Sequence, residues 1–159
     1  MIGIERIQPR DPLTVQGIVS PINRELLWTE YDDPICDKVV SGIYTLWLAR
    51  YDEEVVGYAA LHRDGRETHL FEGRKNGKVK PYLSFLAVKA RFRGKGVGLK
   101  LLHEAIQAGG GKVYLHCPPH SRQHFFYRHL REKGYAYKEQ LPSSQECVLI
   151  KLKLQQGDD

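Results

Sequence analysis

The stretch from Tyr82 to Ala108 constrains this chain more than any other. Tyr82-Leu83-Ser84-Phe85-Leu86-Ala87-Val88 is almost wholly apolar, the pattern of a strand covered on both faces and central in its sheet. Lys89-Ala90-Arg91-Phe92-Arg93-Gly94-Lys95-Gly96-Val97-Gly98 follows, with glycines at alternate positions. Leu99, Leu102, Ala105 and Ile106 then recur at helical spacing up to Gly109-Gly110-Gly111, where three glycines end a helix. A buried strand therefore runs through a flexible turn into an amphipathic helix. Lys112 to Cys117 reads as the next strand, which makes the segment a βαβ unit.

Around this unit the chain reads as α+β. Residues 2–8 form a short strand, and Val15–Val19 and Asn23–Trp28 are expected as two short helices among Pro9, Pro12, Pro21 and Pro34. Tyr44–Arg50 and Val55–His62 are aromatic and β-branched runs separated by Asp52-Glu53-Glu54, a hairpin pattern. Ser121–Lys133 is expected as a helix with Ser121 at its N-cap and Gly134 just past its end. Cys147–Leu154 alternates in its second half and should pair with an earlier strand. Glu72 to Lys80 reads as a solvated basic loop or hairpin. With 159 residues the chain fits one domain, 1–159, with 155–159 as a frayed tail.

The turn has a physical use. The first amides of a helix lack intrahelical acceptors and carry partial positive charge, so a glycine-rich strand-to-helix turn beside Arg91, Arg93 and Lys95 is suited to a diphosphate. A Walker loop does not fit, because neither Gly94–Lys100 nor Gly73–Lys78 has its spacing or hydroxyl; G-x-G-x-x-G fails because the glycines stand at 94, 96 and 98.

Arg93-Gly94-Lys95-Gly96-Val97-Gly98, after Leu86-Ala87-Val88 and before Leu99 to Leu102, resembles the [RQ]-x-x-G-x-[GA] signature of the GNAT family of acetyl-coenzyme A-dependent N-acetyltransferases. The order of elements extends the resemblance over Tyr44 to Leu154, and more weakly over the N-terminal part; Ala90 stands where many members have proline. The resemblance implies a single GNAT-like α+β domain, a mixed, mostly antiparallel sheet of six to seven strands with helices on both faces. It implies that the backbone of Arg93, Gly94, Lys95, Gly96, Val97, Gly98 and Leu99 holds the pyrophosphate of acetyl-coenzyme A, the cosubstrate. It further implies that pantetheine pairs with Leu86, Ala87 and Val88, and that the Leu86 N–H polarises the thioester carbonyl. Tyr127 would be the general acid for the departing thiolate, although Gly134-Tyr135 falls seven residues after it where members usually have Gly-Phe after four.

The expected activity is acetyl transfer to a primary amine by direct attack in a ternary complex. The alternative is a non-catalytic coenzyme A or nucleic-acid binding module, suggested by Arg91-Phe92-Arg93 and by the basic residues 74–80. A nucleic-acid module needs a continuous basic stripe, whereas a coenzyme pocket needs basic residues only around one glycine turn, and the motif order favours the enzyme. No base is assigned: Glu67, His69 and Glu72 precede the central strand, and Ser84 on it carries a hydroxyl facing the same way as Leu86. Trp28, Tyr31, Tyr44 and the loop Leu141–Gln145 are expected near the acceptor, a small molecule or peptide whose identity the sequence leaves open.

His116, Cys117, His120, His124 and His129 have no second cysteine pair, and no metal is expected there. Three cysteines without a C-x-x-C pair point to a reducing, cytoplasmic setting, and no apolar run nears the roughly 18–20 residues that span a bilayer. Oligomeric state leaves no mark in the sequence; the homodimer is the commonest soluble assembly.

Overall fold

The computed structural model describes residues 1–63, 80–140 and 147–155. The expectations for Glu67, His69, Glu72 and the basic loop, for Leu141–Gln145 and for the tail beyond 155 fall outside the described residues. The fold is α+β, with seven β-strands, four α-helices, four antiparallel registers and one parallel register among the described residues. The chain divides into two compact units, residues 1–63 with 83–105 and residues 64–82 with 106–159.

In the first unit β1 (Ile2–Ile7) pairs antiparallel with β2 (Tyr44–Tyr51), which pairs antiparallel with β3 (Glu54–His62). The hairpin between β2 and β3 is the one the sequence predicts. The two short helices expected before it are instead one, α1 (Pro12–Leu26), capped by Asp11, whose carboxylate accepts from the Leu13 amide at 3.1 Å. Pro21 lies inside it, and an interior proline costs about 3 kcal/mol. The helix persists because Val15, Val19, Ile22 and Asn23 form one fully buried stripe, and each large apolar side chain so buried contributes about 1.5–3 kcal/mol. A second helix, α2 (Asp32–Val40), not expected from the sequence, buries Ile35, Cys36 and Val39.

These helices meet β2 and β3 in one core of Val15, Val19, Ile22, Ile35, Val39, Leu46, Tyr58 and Ala60. A polar link crosses it. The fully buried Asn23 accepts from the Tyr58 hydroxyl and donates to Asp32 Oδ1 at 2.7 Å, tying α1 to β3 and α2. Burial raises the Tyr58 hydroxyl above the ordinary phenol range. Removing one partner would strand a buried polar group, at about 1–3 kcal/mol.

β4 (Tyr82–Val88) and α3 (Val97–Ala108) occupy the expected positions. The stripe Val97, Leu101, Leu102, Ala105 and Ile106 of α3 is buried.

The second unit contains β5 (Lys112–Cys117), α4 (Arg122–Arg128), β6 (Tyr135–Gln140) and β7 (Val148–Leu154). β7 pairs antiparallel with both β5 and β6, and Tyr82 pairs in parallel with Tyr114, the register expected of a βαβ unit. Ser121 caps α4 as expected, accepting from the His124 amide at 3.1 Å. The helix is shorter than predicted: from His129 to Lys133 it tightens into a 3₁₀ turn that ends on Gly134 in the left-handed conformation (φ 89°).

Candidate active site

β4 does not alternate cleanly. Ser84, Phe85 and Leu86 are half-buried in succession, with Ala87 fully buried after them. Just beyond, the Lys89 amide donates to the Val56 carbonyl at 2.8 Å, and the Ala90 amide donates to Glu25 Oε1 at 3.0 Å. Gly57 of β3 makes this closeness possible: a Cβ there would stand 2.7 Å from the Ala87 carbonyl oxygen and 3.2 Å from Leu101 Cδ1.

Residues 90–92 form a 3₁₀ turn, and the Arg93 amide is bonded back to the Ala90 carbonyl at 3.2 Å. Gly94 (φ 79°) and Gly96 (φ 86°) then take left-handed conformations that side chains rarely adopt. Space is not what requires them, since a Cβ at either would meet nothing within 4 Å. The first i→i−4 bond of α3 is that of the Lys100 amide to the Gly96 carbonyl at 3.1 Å, so the amides of Val97, Gly98 and Leu99 belong to the unsatisfied first turn. The turn thus combines two left-handed glycines, an open approach and a helix N-terminus, which fits a diphosphate.

Its charges are not equivalent. Arg91 forms a fork on Glu54, with contacts of 2.5 and 2.6 Å, and its guanidinium lies over the Phe92 ring at 4.9 Å. Arg91 is therefore a brace for the turn rather than the uncommitted cation the sequence suggested. Lys95 Nζ stands 5.6 Å from the Tyr51 ring centroid, and Tyr51 lies 5.2 Å from Phe92.

The residues expected near the acceptor gather in the same unit around Phe85. Its ring lies 6.4 Å from Trp28, 5.3 Å from Tyr31 and 6.3 Å from Tyr44. Tyr31 is 40% exposed, so the cluster is open on one side, and Lys38 Nζ sits 5.2 Å over the Tyr44 ring. Phe85 escaped the sequence reading, although its place beside Leu86 was a usable signal.

In the second unit Tyr127 is buried, and burial, with Cys117 and Tyr82 nearby, raises its hydroxyl above the usual phenol range. Burial also pushes the Cys117 thiol up to about 11, so it stays protonated at neutral pH. The histidines of the 116–129 segment have separate partners. His116 Nδ1 meets the Tyr82 hydroxyl at 2.8 Å, His129 Nδ1 meets the Phe125 carbonyl at 2.9 Å, and burial lowers the His116 pKa. His124 accepts the His120 amide on Nδ1 at 3.0 Å, so Nε2 carries the proton it directs to Glu139 Oε2 at 2.9 Å. The Tyr137 hydroxyl donates to the same oxygen at 2.6 Å. The His124 and Tyr137 bonds hold the Glu139 carboxyl below its ordinary pKa. Among the described residues no three His, Cys, Asp or Glu side chains are grouped to hold a metal ion.

The α+β fold and the glycine turn before α3 have the form expected of an acyltransferase. The model of the Acetyltransferase (GNAT) family matches residues 15–130, and the chain belongs to that family. It is an acyltransferase with acetyl-coenzyme A as cosubstrate. Arabidopsis thaliana NAA60 in complex with acetyl-CoA is similar at 19% identity and TM-score 0.65, over 96% of this chain and 97% of that one. A structure from Corynebacterium glutamicum described as histone acetyltransferase HPA2 and related acetyltransferase gives 19% and 0.65, over 99% and 98%. Arabidopsis thaliana Naa50, bound to the bisubstrate analogue CoA-Ac-MVNAL, gives 17% and 0.62, over 94% and 97%. Comparison with curated protein sequences returned no match. Among the described residues no helix is long and apolar enough to cross a membrane.

Proposed function

We propose that this chain transfers the acetyl group of acetyl-coenzyme A to a primary amine by direct attack in a ternary complex. The observation that carries the reading is the turn at Gly94 and Gly96 leading into the open first turn of α3. Acetyl-coenzyme A supplies an acyl group activated as a thioester. The amides of Gly94 to Leu99 receive the diphosphate, and the backbone of Leu86, Ala87 and Val88 pairs with the pantetheine arm. Arg93 and Lys95 add positive charge, while the Arg91–Glu54 fork holds the turn in shape.

The acceptor loses its ammonium proton to solvent, the neutral amine nitrogen forms a bond to the thioester carbon as the carbon–sulfur bond breaks, and the proton shed as the amide forms also passes to solvent. The Leu86 N–H donates to the carbonyl oxygen as it gains negative charge, an effect worth about 2.7–4 kcal/mol for one such donor. Tyr127 gives its proton to the leaving thiolate; its raised pKa means that the proton is in place at neutral pH. The rings of Trp28, Tyr31 and Tyr44 around Phe85, with Glu30 and Asp33 in the same segment, suit a positively charged acceptor. The peptide analogue carried by Naa50 makes a peptide α-amine a reasonable first acceptor to assay beside polyamines.

Calorimetric titration with acetyl-coenzyme A tests the donor site. Gly96→Asp should weaken binding at least tenfold, or about 1.4 kcal/mol, while Gly96→Asn, which tolerates the left-handed conformation, should weaken it far less. Equal affinity of Gly96→Asp and the parent would remove the phosphate turn from the reading.

A further inference from the structure

The second unit carries a charge pattern that acyl transfer does not use. The registers of β5, β7 and β6 set Lys112 opposite Lys153, and Lys151 opposite both Tyr114 and Lys138. The alternate set on these strands, which includes Val113, Leu115, Ile150, Leu152 and Tyr137, is buried, so the four lysines share the other face. Lys138 and Lys153 are exposed and Lys112 and Lys151 half-buried. None of the four makes an ion pair among the described residues, and no acidic residue shares their rows. Like charges directly opposite each other destabilise a strand pair, yet this face sets two such pairs side by side. An anionic partner removes the conflict.

The face is also aromatic at its centre. Lys80 Nζ and Lys151 Nζ each lie 5.7 Å from the Tyr114 ring centroid, and the Tyr82 and His116 rings are 5.5 Å apart. We propose that the β5–β7–β6 face binds single-stranded nucleic acid, with phosphates along Lys112, Lys138, Lys151 and Lys153 and a base against Tyr114. Rings interleaved with cations are what such strands use, because every base has a π face to stack; an acidic peptide would engage the lysines and have no use for the ring. Binding such a strand needs a continuous basic stripe. Here strand pairing assembles one from lysines up to 41 positions apart.

Fluorescence anisotropy with a labelled oligothymidylate of about 12 nucleotides, at roughly 50 mM salt, tests this. The intact protein should bind it, with a log–log salt slope near −3, as four phosphates at about 0.7 each require. The double variant Lys138→Glu/Lys151→Glu should bind at least tenfold more weakly with unchanged acetyl-coenzyme A affinity. Lys138→Gln/Lys151→Gln should fall between and serves if the reversal fails to fold. The proposal is overturned by no binding, by variant affinity within twofold of the parent, or by displacement with acetyl-coenzyme A, which would place the strand on the glycine turn. Equal competition by oligoglutamate would assign the face to acidic peptides instead and likewise overturn it.

Discussion

Replacing Gly57 with alanine should damage the donor site through a contact that lies outside the signature motif. The added Cβ would stand 2.7 Å from the Ala87 carbonyl oxygen, where ordinary contact begins at 3.4 Å, so one strand must move by about 0.7 Å. The atom it meets is backbone, and the other side is closed by Leu101 at 3.2 Å and Val88 Cγ2 at 3.4 Å. Overpacking of this kind costs about 1–3 kcal/mol, and 2 kcal/mol corresponds to about 4–8 °C in Tm for a chain of this length. Because the displaced carbonyl lies between Leu86 and Val88, acetyl-coenzyme A affinity should fall about tenfold as well. Gly17→Ala is the matched control. It sits within α1 with nothing within 4 Å of a Cβ, and the same substitution there should stabilise by about 1 kcal/mol. Thermal melts and calorimetry of both variants decide the matter. A Gly57→Ala protein that melts and binds like the parent would refute the claim that β4 is held at a fixed distance.

Two further outcomes follow from the second unit. Tyr127→Phe should lower kcat at least tenfold with little change in KM for acetyl-coenzyme A, and a loss of less than twofold would make Tyr127 a packing residue. Glu139 is held below its ordinary pKa, so its contribution to stability is present above about pH 4.3 and disappears as the pH falls through its lowered value. The parent should therefore lose Tm on acidification below about pH 4.3 more steeply than Glu139→Gln, and superimposable Tm–pH curves would contradict this.

The elements legible in the sequence are those whose signal is local. The apolar run of β4, the period of α3 with its glycine stop, and the Ser121 and Gly134 caps each lie within a few residues of what they specify. α1 reads as two helices split near Pro21 because a proline's local cost is visible in a sequence and the packing that outweighs it is not. α2 has little local signal, because it buries only three positions behind an acidic first turn. β6 is equally faint, because Tyr135 and Tyr137 are its only large apolar residues. The site divides in the same way. The glycine turn can be read directly, whereas Glu54 on Arg91, Glu25 on the Ala90 amide and Phe85 under three distant rings depend on contacts across more than 35 positions of chain.

β4 assigns different parts of the chain to two tasks. Phe85 gathers its partners through a side chain, while Leu86 to Val88 offer main-chain groups that nearly any residue would provide. In this reading, selection can rewrite Trp28, Tyr31, Tyr44 and Phe85 to suit a new acceptor while the grip on the donor is inherited unchanged. Engineering can follow the same route, with a library confined to those four positions varying what is acetylated and leaving the source of the acetyl group alone.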